Sequence, residues 1–369
     1  MVRPRLKSLT CMAGDGRLVV SLDPRRRYEL DDPHGQVRLL LETVADGTRD
    51  LDALTAALRT VDPALDEADV VRSLVALDEL GWLEDADAPP MLSDLQRERY
   101  FSNLAFFDAF TALGRSREEI QARLLASHVL VLGAGGLGSA VVQQLVGLGT
   151  GQLTIVDHDV VELRNFARQF TYSADRLGRS KVEEVAAWVR RFDPAVRVSA
   201  VDRRVTEPAS LADLLPGVDL VVSAIDQPDD IDLTVNRVCV GAGVPFIRGG
   251  LAYLQGVYWS VDPGRSSCRA CLDIQRRREL AAGGSAAVVT WPQVLRPVPV
   301  NRGIGPVAAL LGSLVAMEAL RYLTAIAAPV SAGTYQLIDF SSDCHMSVDA
   351  WDPEPDCDVC ATAPGAGRA

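Results

Sequence analysis

Gly133, Gly135, Gly136 and Gly138 form the run Gly-Ala-Gly-Gly-Leu-Gly, directly after the apolar stretch His128–Leu132. Glycines let a chain turn tightly and come close to a phosphate. A helix opening there adds free N–H groups and the positive end of its dipole. Asp157 ends the next apolar stretch, about twenty residues on, where a carboxylate can accept hydrogen bonds from ribose hydroxyls. This much suits an NAD-dependent oxidoreductase and an ATP-binding domain equally.

The residues after Asp157 are unlike a dehydrogenase. The run Asp157-His158-Asp159-Val160-Val161-Glu162-Leu163-Arg164-Asn165-Phe166-Ala167-Arg168-Gln169-Phe170 is long and polar, and Gly178-Arg179-Ser180-Lys181 opens the next helix. Asn165, Arg168 and Lys181 beside a glycine loop can neutralise a triphosphate, because Arg grips phosphate oxygens in bidentate fashion and Lys supplies a point charge. Asp226 follows the apolar stretch Val218–Ser223. Strand carboxyl ends in an open α/β sheet face the ligand crevice, so its carboxylate can hold Mg²⁺ against phosphates. Taken alone, Asp226 is equally a cap for the helix Asp229–Gly243.

Four of the seven cysteines form two C-x-x-C pairs, Cys268/Cys271 and Cys357/Cys360. Two such pairs suit a tetrahedral Cys₄ zinc site, although the distance between them in sequence also allows two unrelated reduced pairs. Of Cys11, Cys239 and Cys344, Cys239 lies on an apolar helix and reads as a buried thiol.

These residues need a scaffold. From residue 128 to residue 360, apolar strands alternate with helices: His128–Leu132, Leu153–Val156, Val196–Val201, Val218–Ser223 and Pro245–Ile247 as strands, with Gly136–Gly149, Gly178–Phe192, Leu211–Leu215 and Asp229–Gly243 as helices. Such alternation predicts an α/β fold with a mostly parallel sheet covered on both faces. Leu254–Val261 and Thr334–Phe340 read as an antiparallel extension. Residues 91–127 read as helical, with Phe101, Leu104, Phe106, Phe107 and Phe110 forming an aromatic surface for a neighbouring domain or a second subunit. Residues 1–87 outline a small winged helix: strands at Leu18–Ser21 and Arg27–Leu30, helices from Gln36, Asp50 and Glu67, Gly81 as a C-cap, and a closing strand at Trp82-Leu83. Residues 85–90 read as a linker and 361–369 as a disordered tail.

A net charge of −12 argues against nucleic acid as a partner. The N-terminus lacks the apolar segment of a signal peptide. Val307–Ala328 carries Glu318 and Arg321, which fits a buried helix better than a membrane span. A cytosolic protein is expected.

In motif order, residues 128–360 resemble the adenylation domain of the ThiF/MoeB/HesA family, related to ubiquitin-activating enzymes: GxGGLG, then D-x-D-x-V-x-x-x-N-x-x-R-Q, then G-x-x-K, then a strand-end Asp. The resemblance implies ATP as cosubstrate, with Asp157 on the ribose, Asn165, Arg168 and Lys181 on the triphosphate, Asp159 as a further nucleotide-site residue, and Asp226 positioning Mg²⁺. It implies attack of a carboxylate on the α-phosphate to give an acyl-adenylate, with Arg168, Lys181 and Asp226 as catalytic residues. It also implies a structural Zn²⁺ on Cys268, Cys271, Cys357 and Cys360, and a homodimer. Two positions depart from the pattern. Glu279–Gly303 has no cysteine, so thioester or persulfide chemistry is not expected. Ser102 stands where relatives carry an arginine that reaches a partner's ATP; Arg97 and Arg99 are the neighbouring substitutes.

Residues 1–87 resemble a PqqD-like leader-recognition element through Arg3-Pro4-Arg5-Leu6, the hairpin, Asp46-Gly47-Thr48-Arg49 and Leu77–Leu83. Such elements bind a peptide as an added strand. The combined architecture resembles MccB-like and PaaA-like enzymes that modify ribosomally made peptides. It implies a precursor peptide as substrate. A leader-binding scaffold for a partner cyclodehydratase and a sulfur-carrier adenylyltransferase are the alternatives.

Overall fold

The computed structural model describes residues 2–23, 26–282 and 302–364. The chain divides into two compact units, Met1–Ala122 and Arg123–Ala369.

In the first unit, β1 (Pro4–Leu6) is followed by an antiparallel three-stranded sheet of β2 (Thr10–Gly14), β3 (Arg17–Asp23) and β4 (Arg26–Asp31). Then come α1 (Gln36–Val44), α2 (Leu51–Leu58), α3 (Glu67–Glu79) and β5 (Leu83–Asp85), which pairs back on β1. The local chemistry explains these ends. Asp50 caps α2 by accepting from Ala53 N, and Asp66 and Asp69 form a capping box on α3. Gly81, at φ +74°, ends α3, and the next N–H, that of Trp82, bonds back to Leu77 O at 3.0 Å. Leu18, Val20, Leu54, Val70 and Trp82 fill the core between sheet and helices. Gly47 has φ +67°, and a Cβ there would lie 2.8 Å from Cβ of Arg5. The Asp46–Arg49 turn and the N-terminal strand therefore fit together only with glycine.

The 91–127 region is helical but not continuous. It breaks into α4 (Asp94–Arg99), α5 (Phe101–Phe107) and α6 (Arg117–Ala126). Glu118 holds the start of this region, accepting from Met91 N and Leu92 N and pairing with Arg97 at 2.7 Å. Of the expected aromatic surface, Phe101 and Phe106 are exposed, whereas Leu104 and Phe107 are buried. The unit boundary at 122/123 groups α4 and α5 with the N-terminal elements.

The second unit is built on β6 (His128–Leu132), α7 (Gly136–Leu148), β7 (Gln152–Asp157), α8 (Lys181–Phe192), β8 (Arg197–Asp202), α9 (Ala209–Ala212), β9 (Leu220–Ser223), α10 (Ile231–Ala242), β10 (Phe246–Ala252), β11 (Gln255–Val261), α11 (Arg269–Ala281), α12 (Gly305–Thr324), β12 (Thr334–Asp339) and β13 (His345–Ala350). Its eight-stranded sheet runs β13-β12-β11-β10-β9-β6-β7-β8. The five strands from β8 to β10 are parallel, and β11, β12 and β13 extend the sheet antiparallel. The chain leaves β6 in one direction for β7 and returns on its other side as β9, which opens a crevice at the carboxyl edge. Both faces are covered. Val129 and Val131 point into one apolar core with Val142, Val185 and Val315, and Leu130 and Leu132 into the other with Val240, Phe246 and Trp259. Strand alternation turns the unbroken run HVLVL into two buried faces.

β2 and β13 were not expected from the sequence. Every residue in both is exposed, so neither carries the apolar alternation that marks a strand. The helix expected at Leu211–Leu215 is displaced to Ala209–Ala212. α12 is long and apolar enough to cross a membrane by length and composition. In this fold it packs on α7 and β10. Its Glu318 is fully buried and accepts from Ser331 N and Oγ while pairing with Arg321 at 2.9 Å. The expected tail starts later than residue 361, because Cys360–Thr362 form a 3-10 turn and Ala363 is buried in the second core; residues 365–369 lie outside the described residues, as do residues 283–301 of the cysteine-free stretch Glu279–Gly303.

Candidate nucleotide site and cysteine cluster

A cleft of about 410 Å³ opens at the carboxyl edge of β6, β7, β9 and β10. Gly133, Gly135, Gly136, Asp157, Asp159, Arg168, Lys181 and Asp226 all line it. The loop between β6 and α7 is fixed from two sides. Ala134 N donates to Asp157 Oδ2 at 2.7 Å, and the buried Tyr172 hydroxyl donates to Ala134 O at 2.6 Å. Burial pushes the Tyr172 phenol up, so it stays a donor. Asp157 Oδ1 also accepts from Asp159 N at 2.9 Å. Each carboxylate oxygen keeps a lone pair for an outside donor.

The glycines divide the work. Gly133 sits at φ +97°, and a Cβ on it would lie 2.9 Å from Ala224 O. A Cβ on Gly136 would meet the Arg168 side chain at 3.1 Å, so this glycine lets the arginine cross the loop. Gly138 does not line the cleft. Its Cβ would stand 1.8 Å from Gly133 O, which makes it the contact between strand end and helix. Gly138→Ala should therefore lower stability by about 3 kcal/mol, read as a fall in the denaturant midpoint; an unchanged midpoint would contradict the close approach.

Arg168 is part-buried and lacks a carboxylate within ion-pair distance among the described residues. Burial pulls its pKa down, and the nearby Arg164 adds to that. A desolvated cation without a counter-ion is suited to an incoming anion. Lys181 opens α8 almost fully buried and donates to Asp159 Oδ2 at 2.7 Å. Burial pushes the Asp159 carboxyl up, but the hydrogen bond and charge of Lys181 outweigh it and hold the group below its ordinary 3.8. A carboxyl with a depressed folded pKa stabilises the fold above its unfolded pKa and loses that contribution as pH falls through the folded value. Lys181→Met should raise the Asp159 titration, measured by NMR of the carboxyl carbon; an unchanged titration would show that another group controls it.

Asp226 is exposed, three residues beyond the end of β9, and faces the cleft. Residue Asp230, not Asp226, occupies the N-cap position of α10, so the capping alternative does not apply. Asn165 is not brought to the cleft wall. It is buried, and its Oδ1 accepts from Glu162 N at 2.9 Å, closing the turn that carries Arg168. Sequence reasoning missed Gln169, Arg203, Arg204 and Arg248, which also line the cleft. Gln169 is 1% exposed and its Oε1 has no donor among the described residues; its place beside Arg168 was the signal available. Neither substitute for the Ser102 position is idle: Arg97 pairs with Glu118 and Asp94, and Arg99 lies over the Tyr100 ring at 5.9 Å.

The cysteines converge as expected. Cys268 Sγ lies 3.9 Å from Cys271 Sγ and 3.7 Å from Cys357 Sγ, and Cys271 Sγ lies 3.5 Å from Cys360 Sγ. A tetrahedral ion with metal–sulfur bonds of about 2.3 Å needs sulfurs about 3.8 Å apart, whereas a disulfide needs about 2.05 Å. The geometry fits a four-thiolate metal centre. Asn236 Nδ2 donates to Cys268 Sγ at 3.5 Å while its Oδ1 accepts from Arg269 N, which orients the first pair. Cys239 is buried, and burial pushes its thiol up; Cys11 and Cys344 are exposed.

The switch-point cleft, glycine loop and cysteine cluster define a nucleotide-binding α/β protein. The chain belongs to the ThiF family, whose sequence signature covers residues 107–359. It is 31% identical over 247 residues to the molybdopterin-synthase adenylyltransferase of Salmonella typhimurium, covering 66% of this chain and 90% of that protein. It is 39% identical over 154 residues to the SAMP-activating enzyme E1 of Haloferax volcanii, covering 42% of this chain and 56% of that protein. Matches to the adenylyltransferase and sulfurtransferase proteins of pig and mouse cover 46% and 50% of those chains, so this chain spans about half the length of those curated relatives. The fold is that of Escherichia coli MccB, solved with ATP, at a TM-score of 0.72 and 21% identity, covering 97% of this chain and 99% of that one. It also matches PaaA at a TM-score of 0.66 and 19% identity, over 93% and 98% of the two chains.

Proposed function

We propose that this protein is an ATP-dependent adenylyltransferase that activates a carboxylate carried on a peptide. The observation that carries the reading is Arg168: a part-buried guanidinium without a carboxylate partner among the described residues, laid over Gly136 and sharing the cleft with Lys181 and Asp226. In this reading Asp157 accepts from the ribose hydroxyls, and the loop N–H groups, Arg168 and Lys181 hold the phosphates. Asp226 would hold Mg²⁺, which would supply charge neutralisation at the phosphates. The carboxylate oxygen attacks the α-phosphorus, the bond to the bridging oxygen breaks, and pyrophosphate leaves. Positioning and charge neutralisation do the work, without a protein nucleophile. Asn165 acts through Arg168 by closing its turn. The cysteine cluster holds Zn²⁺ as a structural ion. Thiolates of this kind suit the cytosol.

Three observations support a peptide as the carboxylate carrier. The family signature begins at residue 107, which leaves almost all of the first unit for another task. That unit's three-stranded sheet has β2 and β4 as edge strands, each paired on one side only among the described residues, and an edge can take a peptide as an added strand. One MccB structure is described as a complex with N-formylated MccA, at a TM-score of 0.73 and 20% identity. Phe101 and Phe106 are candidate contacts for a second copy of the chain or for a partner biosynthetic enzyme. A sulfur-carrier protein as substrate is the second reading, favoured by the 90% coverage of the molybdopterin-synthase adenylyltransferase. Exchange of labelled pyrophosphate into ATP, supported by peptides with free carboxylates, tests the proposal. Exchange dependent on a sulfur-carrier protein and absent with peptides would establish the second reading; absence of ATP binding by calorimetry would defeat both.

A further inference from the structure

We propose that Arg248, braced by Asp232, is the residue that seats the carboxylate to be activated. The inference rests on the adenylation reading and adds the substrate end of the cleft to it. Arg248 lies on β10 beside Ser223 of β9, at the carboxyl edge of the parallel strands, and lines the cleft with Gly249, Gly250 and Asp226. Strands β6 and β9 separate β10 from β7, which carries Asp157. At about 4.8 Å per strand step, the two lie roughly 14 Å apart. The ribose end of the cleft and the Arg248 end are therefore different subsites, with the glycine loop and Asp226 between them.

The side chain is built into place. It is 14% exposed, and its Nε donates to Asp232 Oδ1 at 2.6 Å, from the first turn of α10. Its Nη1 donates to Gly249 O. A Cβ on Gly250 would come within 2.9 Å of Nη1, so a glycine at that position makes room for the guanidinium. Asp232 takes the Nε side of the guanidinium, and the N–H groups of Nη2 have no protein acceptor among the described residues. A planar guanidinium held on one side by a carboxylate and open on the other suits a second carboxylate. Lysine would supply charge without the fork.

The test uses the full-length protein, a pool of acetylated random octapeptides with free C-terminal carboxylates, and ATP–pyrophosphate exchange. Arg248→Met is expected to raise the peptide KM at least tenfold while the ATP KM stays within twofold. Asp232→Asn should give the same pattern more weakly, and Arg248→Lys should recover part of the loss. Thermal melting identifies a variant that fails to fold, in which case the Arg248→Lys split between the two KM values decides. A rise in the ATP KM instead would assign Arg248 to the phosphates and overturn the inference, as would unchanged KM values. No exchange by the unmodified protein would overturn the adenylation reading and this inference with it; exchange that is indifferent to Arg248 would overturn this inference alone.

Discussion

Asp226→Ala is expected to lower ATP–pyrophosphate exchange by about a thousandfold or more, while ATP-independent peptide binding is retained. The size follows from its place. The carboxylate stands in the cleft, exposed and three residues beyond the end of β9, where it would hold a divalent ion to neutralise phosphate charge. Losing a preorganised charge of this kind costs about 10²–10³ in rate, and losing the ion's neutralisation adds to it. Little else should change. Asp226 caps no helix, and an exposed surface substitution typically stays within about 0.5 kcal/mol. The neighbouring Asp229→Ala, exposed and outside the cleft lining, should leave exchange within twofold. Exchange that persists in Asp226→Ala would show that the metal is held elsewhere.

Metal removal should have the largest effect on stability. Cys268 and Cys357 are 89 positions apart in sequence, and β12 and β13 lie between them. The cluster therefore closes a long loop and fastens the end of the chain to α11. Thiolate–zinc bonds contribute on the order of 10 kcal/mol in small domains. Here the second core also holds Trp351 and Val359, and Glu354 pairs with Arg278, so local release of the C-terminal segment should precede unfolding of the parallel sheet. Purified protein should carry one zinc per chain by mass spectrometry. Cys357→Ser, or chelation, should release the metal, expose the segment to proteases and lower the melting temperature by more than 10 °C, roughly what several kcal/mol produces in a domain of this size. A metal-free protein with an unchanged melting curve would contradict a structural ion.

The sequence made most of the parallel sheet legible because its strands are apolar on both faces and its helices are amphipathic. β6 and β9 needed no partner information. β2 and β13 stayed hidden because pairing alone forms them and none of their residues is buried. The placement of the site was legible where residue type and motif order point to one locus: Gly133, Asp157 and Lys181 line one cleft, and the four cysteines converge. It was not legible where function depends on which way a side chain turns. Asn165 has the right type for a phosphate contact, yet its amide oxygen closes a backbone turn. Gly138 belongs to the loop motif but serves packing. Arg248 was invisible because β10 was expected to end at Ile247, whereas it runs on through two glycines to Ala252. Only the folded chain shows that the arginine just before those glycines lines the cleft.

In adenylation, a carboxylate oxygen of the substrate becomes bonded to the α-phosphorus of ATP, and isotope transfer reports that bond. Octapeptides labelled with ¹⁸O in their carboxylates, incubated with the protein, ATP, Mg²⁺ and hydroxylamine, should yield peptide hydroxamate, pyrophosphate and AMP. Mass spectrometry should find one ¹⁸O in the AMP, because the carbon–oxygen bond breaks when hydroxylamine displaces the adenylate. AMP formed without the label would show that the carboxylate never bonds to the α-phosphorus.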